Sequence, residues 1–206
     1  MQESSLRERK KAQTWHELHV AAAEAVLDRG LHAVTVEEVA ASAGVSPRTF
    51  FNYFPSKDHA LLGVRDPELP AGIAEHPPEG SCTLRRVVEL YVQLMYSAMP
   101  TSSAQLRSRL MKAHPGLGGL LKDTMHRCEH MVHDVVRGWA EQGLEPQVLG
   151  PGDDLDQRIG MLVQMAGAVL RFVLTSPDRV PGTRPSPEDL DRAVELLDSL
   201  SRTDRS

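Results

Sequence analysis

The sequence predicts an all-α protein, with a short N-terminal helix-turn-helix unit followed by a larger set of long helices. Three observations carry this. Apolar residues recur at helical spacing along most of the chain, and no alternating stretch of convincing strand length interrupts them. Ala, Leu, Val and Met are plentiful while aromatic residues make up only 4%, a mixture that favours helix over sheet. Residues that start and stop helices sit at the ends of the periodic segments.

The elements follow in order. Thr14 and Glu17 form a capping-box pattern at one start of the first helix, and an earlier start within the preceding arm is also open. Trp15, Leu18, Ala22 and Val26 follow at helical spacing, and Gly30 closes the helix. Thr35 and Glu38 repeat the capping pattern and open a short helix from Val36 to Ala43, closed by Gly44. Ser46 then caps a helix whose first position is Pro47, where a missing N–H is harmless, and which runs to about Tyr53. After Pro55, Ser56 caps a fourth helix from Lys57. Asp66 to Ser81 contains Pro67, Pro70, Gly72, Pro77, Pro78 and Gly80, which makes it an irregular connector with room for a broken helix. Long helical patterns then cover Thr83–Met99, Ser103–Ala113, Leu117–Gln142 and Leu155–Ser176, and a last one, capped by Ser186, covers Pro187–Leu200. The expected domains are 1–60 and 61–206.

Bulk properties narrow the function. The chain has 206 residues and a net charge of −5, which argues against a protein that coats nucleic acid without selectivity. Residues up to Ala60 carry seven Lys/Arg against eight Asp/Glu, and the remainder 16 against 20. Nucleic-acid binding therefore needs local positive features. Two exist: the arm Arg7, Arg9, Lys10, Lys11, and the acid-free stretch Ser46 to Lys57. Cys82 and Cys128 fit no metal or redox spacing, and no apolar leader is present, so the cytoplasm is expected. The longest apolar stretch, Ile159 to Leu174, is interrupted by Gln164 and Arg171 and reads as too short and polar to cross a membrane.

The helix-turn-helix reading rests on steric demands. Two short helices meeting at a steep angle need a small residue at their contact, Gly at the turn and apolar groups around it. Ala40, Gly44 and the set Val39, Ala43, Val45, Phe50 stand at those positions. The second helix then enters the DNA major groove. At about 100° per residue, Phe50 and Phe54 face inward and Arg48 and Asn52 point the other way. Those two are the candidate base-edge contacts, because Arg suits guanine and Asn suits adenine. Thr49 and Phe51 flank them, with Phe51 able to meet a thymine methyl. Tyr53 is placed to send its hydroxyl to a phosphate. Thr35, Ser46, Pro47 and Lys57 sit at helix N-termini, where backbone amides attract phosphate.

The run Val34-Thr35-Val36-Glu37-Glu38-Val39-Ala40, continued by Ala43-Gly44-Val45-Ser46-Pro47-Arg48-Thr49-Phe50-Phe51-Asn52-Tyr53-Phe54-Pro55-Ser56-Lys57, resembles the N-terminal signature of the TetR family. The resemblance covers roughly the first 60 residues. It implies an all-helical homodimeric transcriptional regulator rather than an enzyme. It further implies binding to near-palindromic double-stranded DNA, usually repression relieved by a small molecule, and dimerisation through the last two long helices. The family often has Leu-Tyr where this chain has Phe50-Phe51, which removes one tyrosine hydroxyl from the phosphate contacts.

The second half carries all seven internal methionines: Met95, Met99, Met111, Met125, Met131, Met161 and Met165. Methionine adapts to changing contents, so Tyr91, Met95, Met99, Leu110, Met111, Met125, Cys128, Trp139 and Met165 are the candidate lining of an apolar effector site. The segment Leu106 to Leu117 resembles the corresponding part of the TetR subgroup similar to the mycofactocin regulator. That resemblance implies an acyl-coenzyme A effector whose phosphates meet Arg107, with Arg109 and Lys112 beside it. His126, His130 and His133 have a spacing that can chelate metal, but they fall roughly 150° from the apolar face of their helix, beside Arg137. A solvent-facing stripe is expected, and neither a metal nor a cofactor. Gly116, Gly118 and Gly119 lack the preceding strand and following Lys of a phosphate loop. No Ser or Cys nucleophile stands in a catalytic pattern. Small residues Gly160, Ala166, Gly167 and Ala168, with Leu190, Val194 and Leu197, are the expected dimer contacts. The helix starting at Lys57 is expected to connect the two halves and to transmit effector binding.

Overall fold

The computed structural model of the chain describes residues 2–150, 152, 154–177, 179–180 and 182–203. Among the described residues it is all-helical, with no strand. The helices are α1 (Gln2–Arg29), α2 (Val36–Ser42), α3 (Pro47–Tyr53), α4 (Lys57–Leu62), α5 (Thr83–Ala98), α6 (Ala104–Ala113), α7 (Gly118–Glu141), α8 (Pro146–Leu149), α9 (Leu155–Leu174) and α10 (Pro187–Thr203). Short 3-10 turns precede α6 and α7. The chain forms two compact units: Met1–Asp66 with Met99–Thr124, and Pro67–Ala98 with Met125–Ser206.

In the first unit, α1 packs on α2, α4 and α6. Leu18, Ala22, Ala23 and Val26 of α1 are buried, together with Val39, Ala40, Phe50, Phe54, Leu61 and Leu62. The helix begins well before Thr14, because nothing between Gln2 and Arg29 breaks it, and residues 6–13 form an exposed helical arm. Gln13 and Glu17 pair side by side at 2.9 Å along that arm. At the far end Gly30 adopts φ +88° and donates its N–H to the Val26 carbonyl.

The helix that starts at Lys57, expected to connect the two halves of the chain, packs on α1 and on α6 within the first unit. It is six residues long and ends at Gly63, whose φ of 58° and ψ of 48° turn the chain out of the helix. A Cβ there would lie 2.5 Å from Ser103 Oγ and 2.9 Å from His19 Cε1. Glycine is therefore required both for the left-handed backbone and for space. The connector beyond it is irregular, as its prolines predict, and contains no helix.

In the second unit α9 packs on α5, α8 and α10, and α10 also meets α5. The position a Cβ would take on Gly167 lies 3.5 Å from Tyr91 Cε1, and Ala166 is fully buried. These two small residues of α9 thus serve packing within the unit. Arg85 of α5 is buried and donates to Asp191 of α10 at 2.7 Å, while also pairing with Glu89. Trp139 Nε1 donates to the Ile73 carbonyl at 2.9 Å and pins the connector to α7. The turn of helix at α8 has no periodic signature in the sequence. With 20 residues and a mean hydropathy of 1.2, α9 has the length and composition that a membrane-crossing helix also shows, contrary to the sequence reading. Its buried residues, Ile159, Leu162, Val163, Ala166, Leu170 and Val173, make it a core helix of this unit.

Candidate nucleic-acid interface

Capping sets the geometry of the helix-turn-helix. Thr35 Oγ1 accepts the Glu38 N–H, and the Glu38 carboxylate accepts the Thr35 N–H at 3.0 Å. That backbone N–H, aided by the Arg29 guanidinium, holds the Glu38 carboxyl below the usual carboxylate range. Gly44 takes φ +68° at the turn, and the Val45 N–H reaches back to the Ala40 carbonyl at 2.9 Å. Ser46 Oγ then accepts the Thr49 N–H at 3.1 Å and meets the Thr49 hydroxyl at 2.9 Å. Two caps and one glycine thus set where α3 begins and how the chain turns into it.

Packing then divides α3 into two faces. Phe50, and Phe54 just beyond the helix, are fully buried, with Phe54 5.3 Å from the Trp15 ring. The Arg65 guanidinium lies over the Trp15 ring at 5.1 Å. Opposite, Pro47, Arg48, Phe51 and Asn52 are exposed, and Thr49 and Tyr53 are half-buried at the margins. Phe51 is 55% exposed although apolar, and its ring stands edge-on to Phe50 at 5.4 Å. Thr35 and Ser46 are exposed at the starts of α2 and α3. Lys57 is placed differently from a free cation. Its Nζ donates to the carbonyls of Leu31 at 2.7 Å and Val34 at 2.9 Å, leaving one N–H for a phosphate. Lys57 therefore also ties the start of α4 to the loop after α1.

One residue that sequence reading passed over supports this unit from behind. His19 is fully buried, and its Nδ1 lies 2.7 Å from the Ala60 carbonyl, which requires the Nδ1–H tautomer. Burial keeps its pKa below 6.5. A histidine at an otherwise apolar helical position was the available signal.

The ten candidate effector residues divide between the units. Met99, Arg107, Leu110 and Met111 belong to the first, and Tyr91, Met95, Met125, Cys128, Trp139 and Met165 to the second. Arg107 is turned toward the chain itself, with its guanidinium donating to the Leu62 and Pro100 carbonyls. Tyr91, Met95, Cys128 and Trp139 are buried in the second unit, and Met125 is half-buried there. The Tyr91 hydroxyl is 3.4 Å from the Met125 carbonyl. Burial raises the Tyr91 phenol above its ordinary range and pushes the Cys128 thiol up to about 11. Met165 lines a cavity beside Cys82 and Leu84. His126 and His130 are exposed, His133 is half-buried, and all three border a small hollow of about 250 Å³. No group of three metal-ligating side chains converges among the described residues.

Residues 18–62 match the sequence model of the bacterial regulatory proteins, tetR family. The chain is also similar to the HTH-type transcriptional regulator EthR of Mycolicibacterium smegmatis, at 23% identity over 159 residues, 74% of this chain and 70% of that protein. A crystal structure assigned to a TetR-family transcriptional regulator from Mesorhizobium loti aligns at a TM-score of 0.42 and 17% identity, covering 90% of this chain and 93% of that one. Two capped helices about a left-handed glycine, with Arg48 and Asn52 facing outward from a fully buried phenylalanine pair, thus lie within the part of the chain, residues 18–62, that carries the signature of the tetR family of bacterial regulatory proteins.

Proposed function

We propose that the protein is a repressor that binds a near-palindromic operator as a homodimer and releases it when a small apolar molecule occupies the helical part of the chain. In this reading residues 1–60 bind DNA, and residues 61–206 bind the effector and dimerise. The observation that carries it is the outward face of α3. Arg48, Phe51 and Asn52 are exposed on a helix whose opposite side is locked by buried Phe50. A side chain presented from a fixed helix can read base edges without first being ordered. Two copies reach successive major grooves when their recognition helices stand about 34–36 Å apart. An effector acts by binding better to the arrangement that lacks this spacing.

The second copy finds its surface on α9 and α10. Met161, Phe172, Leu196 and Leu200 are exposed at 64%, 57%, 45% and 63%, and Ala168 lies between the first two on α9. Leu190 and Val194 are buried within the unit and are unavailable to a partner. Of the three cations expected to meet acyl-coenzyme A phosphates, Arg107 donates to two backbone carbonyls, while Arg109 and Lys112 are exposed.

Gel shifts against the region upstream of the protein's own gene test this reading. Arg48→Ala and Asn52→Ala should each lower operator affinity by about 1–3 kcal/mol, roughly fivefold to 150-fold, and should relax the preference at the contacted base. Lys57→Ala should weaken binding to every sequence alike. Unchanged selectivity in the first two variants would remove α3 as the reading element.

A further inference from the structure

We propose that His126 and His130 of α7 chelate one divalent transition-metal ion, of the zinc, nickel or copper class, at the hollow that α7 forms with α9. The two histidines stand four residues apart on one helix, so their side chains rise from the same face, one turn from each other. Their ring centroids are 5.0 Å apart and the rings are nearly perpendicular, at 89°. Two imidazoles at this spacing can take one ion between them, each nitrogen about 2.0–2.1 Å from the metal.

A carboxylate is already aimed at one of the rings. Glu129 Oε2 faces His126 Nδ1 at 3.6 Å. This favours the tautomer with its proton on Nδ1 and leaves Nε2 bare for an ion. The other carboxylate oxygen accepts from Gln164 of α9, so Glu129 is held from the second helix as well. The His126 side chain is 70% exposed and His130 is exposed, so an ion reaches both without any opening of the fold. On the α9 side, Gly160 has open space where a Cβ would stand, and the hollow measures about 250 Å³. That leaves room for the waters that complete the coordination sphere, since no set of three protein ligands converges among the described residues.

The surrounding charges admit a cation. Arg137 shares the histidine face by helical period, and that argues against a metal in the sequence. In the structure its guanidinium pairs with Asp156 at 2.9 Å, which compensates its charge. Arg127, next to His126, is not free either. Asp134, 3.9 Å from His133 Nδ1, adds a carboxylate further along the stripe. Imidazole nitrogens suit zinc, copper and nickel, whereas magnesium and calcium require oxygen ligands, so the pair selects the first group.

The test uses the untagged full-length protein. It is titrated with zinc chloride by calorimetry, and with nickel chloride while the imidazole resonances are followed by NMR. One zinc ion per chain is expected, and nickel should broaden His126 and His130 before the other histidines. Magnesium chloride should give no heat. His126→Ala and His130→Ala, at exposed positions, should each remove uptake at zinc concentrations that saturate the parent, with helicity unchanged by circular dichroism. Glu129→Gln should weaken binding about tenfold, and His76→Ala, exposed on the connector, should leave it unchanged. Uptake that survives in both histidine variants overturns the assignment. So does uptake lost in His133→Ala but kept in His126→Ala, or one ion per two chains, which is a bridge between copies. The outcome is independent of the DNA-binding reading, because these histidines and Glu129 lie in the second unit.

Discussion

The faces of α3 and α9 that point away from their cores are opposite in character. Outward from α3 stand Arg48 and Asn52, with one aromatic ring between them. Outward from α9 stand Met161, Ala168 and Phe172, bordered by Gln164 and Arg171. Both helices bury apolar residues on their other side, so the contrast lies in what remains uncovered. A short helix that exposes charge and amide is complementary to a nucleic acid. A long helix that exposes a methionine and a phenylalanine is complementary to another apolar surface. The difference shows that burial sets where each helix sits, and the uncovered face sets what it meets.

The comparison can be broken first at the core behind α3. Phe50→Ala removes a fully buried ring that contacts Phe51 and Phe54. It should cost about 3–5 kcal/mol, read as a lowered denaturant midpoint, and should abolish DNA binding through loss of the presenting surface. Should stability fall while operator selectivity survives, α3 is not the element that the buried face positions.

The second test concerns α9. Phe172→Glu places a charge on its exposed apolar face and should weaken self-association by about 2 kcal/mol, roughly thirtyfold in Kd, measured by analytical ultracentrifugation. The monomer should keep its helicity, because Phe172 contributes little to the unit's own core. An unchanged dimer constant would move the interface elsewhere.

A third test sharpens the role of the buried histidine. The folded state holds the pKa of His19 below the ordinary value of 6.5, chiefly by burial. The unfolded chain therefore binds a proton that the folded chain does not. The stability due to neutral His19 is fully present above about pH 6.5 and is lost as pH falls toward the depressed folded value, with a slope of at most about 1.4 kcal/mol per pH unit. His19→Leu should flatten this part of the stability profile. A profile between pH 5 and 7 that is identical in the variant would show that other groups govern it.

The smallest effect is expected at the cap of α2. Thr35→Ala removes the oxygen that accepts the Glu38 N–H and should cost about 1 kcal/mol, seen as a shift in thermal midpoint. A loss of DNA affinity beyond that expected from stability would give Thr35 a phosphate contact as well.

The first unit was the more legible of the two because its signals are local. Thr35 with Glu38, Gly44, and Ser46 with Pro47 lie within a few residues of the bonds they make. The start and end of α3 therefore follow from sequence alone. Lys57 shows where this stops, since its ammonium bonds to Leu31 and Val34, more than twenty residues away. Gly63 is similar. Only its proximity to Ser103 and His19 reveals that the position excludes a side chain.

In the second unit the periodicity of α5, α7, α9 and α10 was readable, but the use of each face was not. Leu190 and Val194 have the same pattern as Leu196 and Leu200, yet the first pair is buried and the second exposed. By itself, the sequence determined that this chain is helical, where α2 and α3 begin and end, and which signature they bear, because caps, glycines and the 3.6-residue period act over a single turn. Tertiary structure alone decided which apolar faces stay open, which cations bind the chain's own carbonyls, and where a cavity is left, because each depends on what distant segments bring alongside.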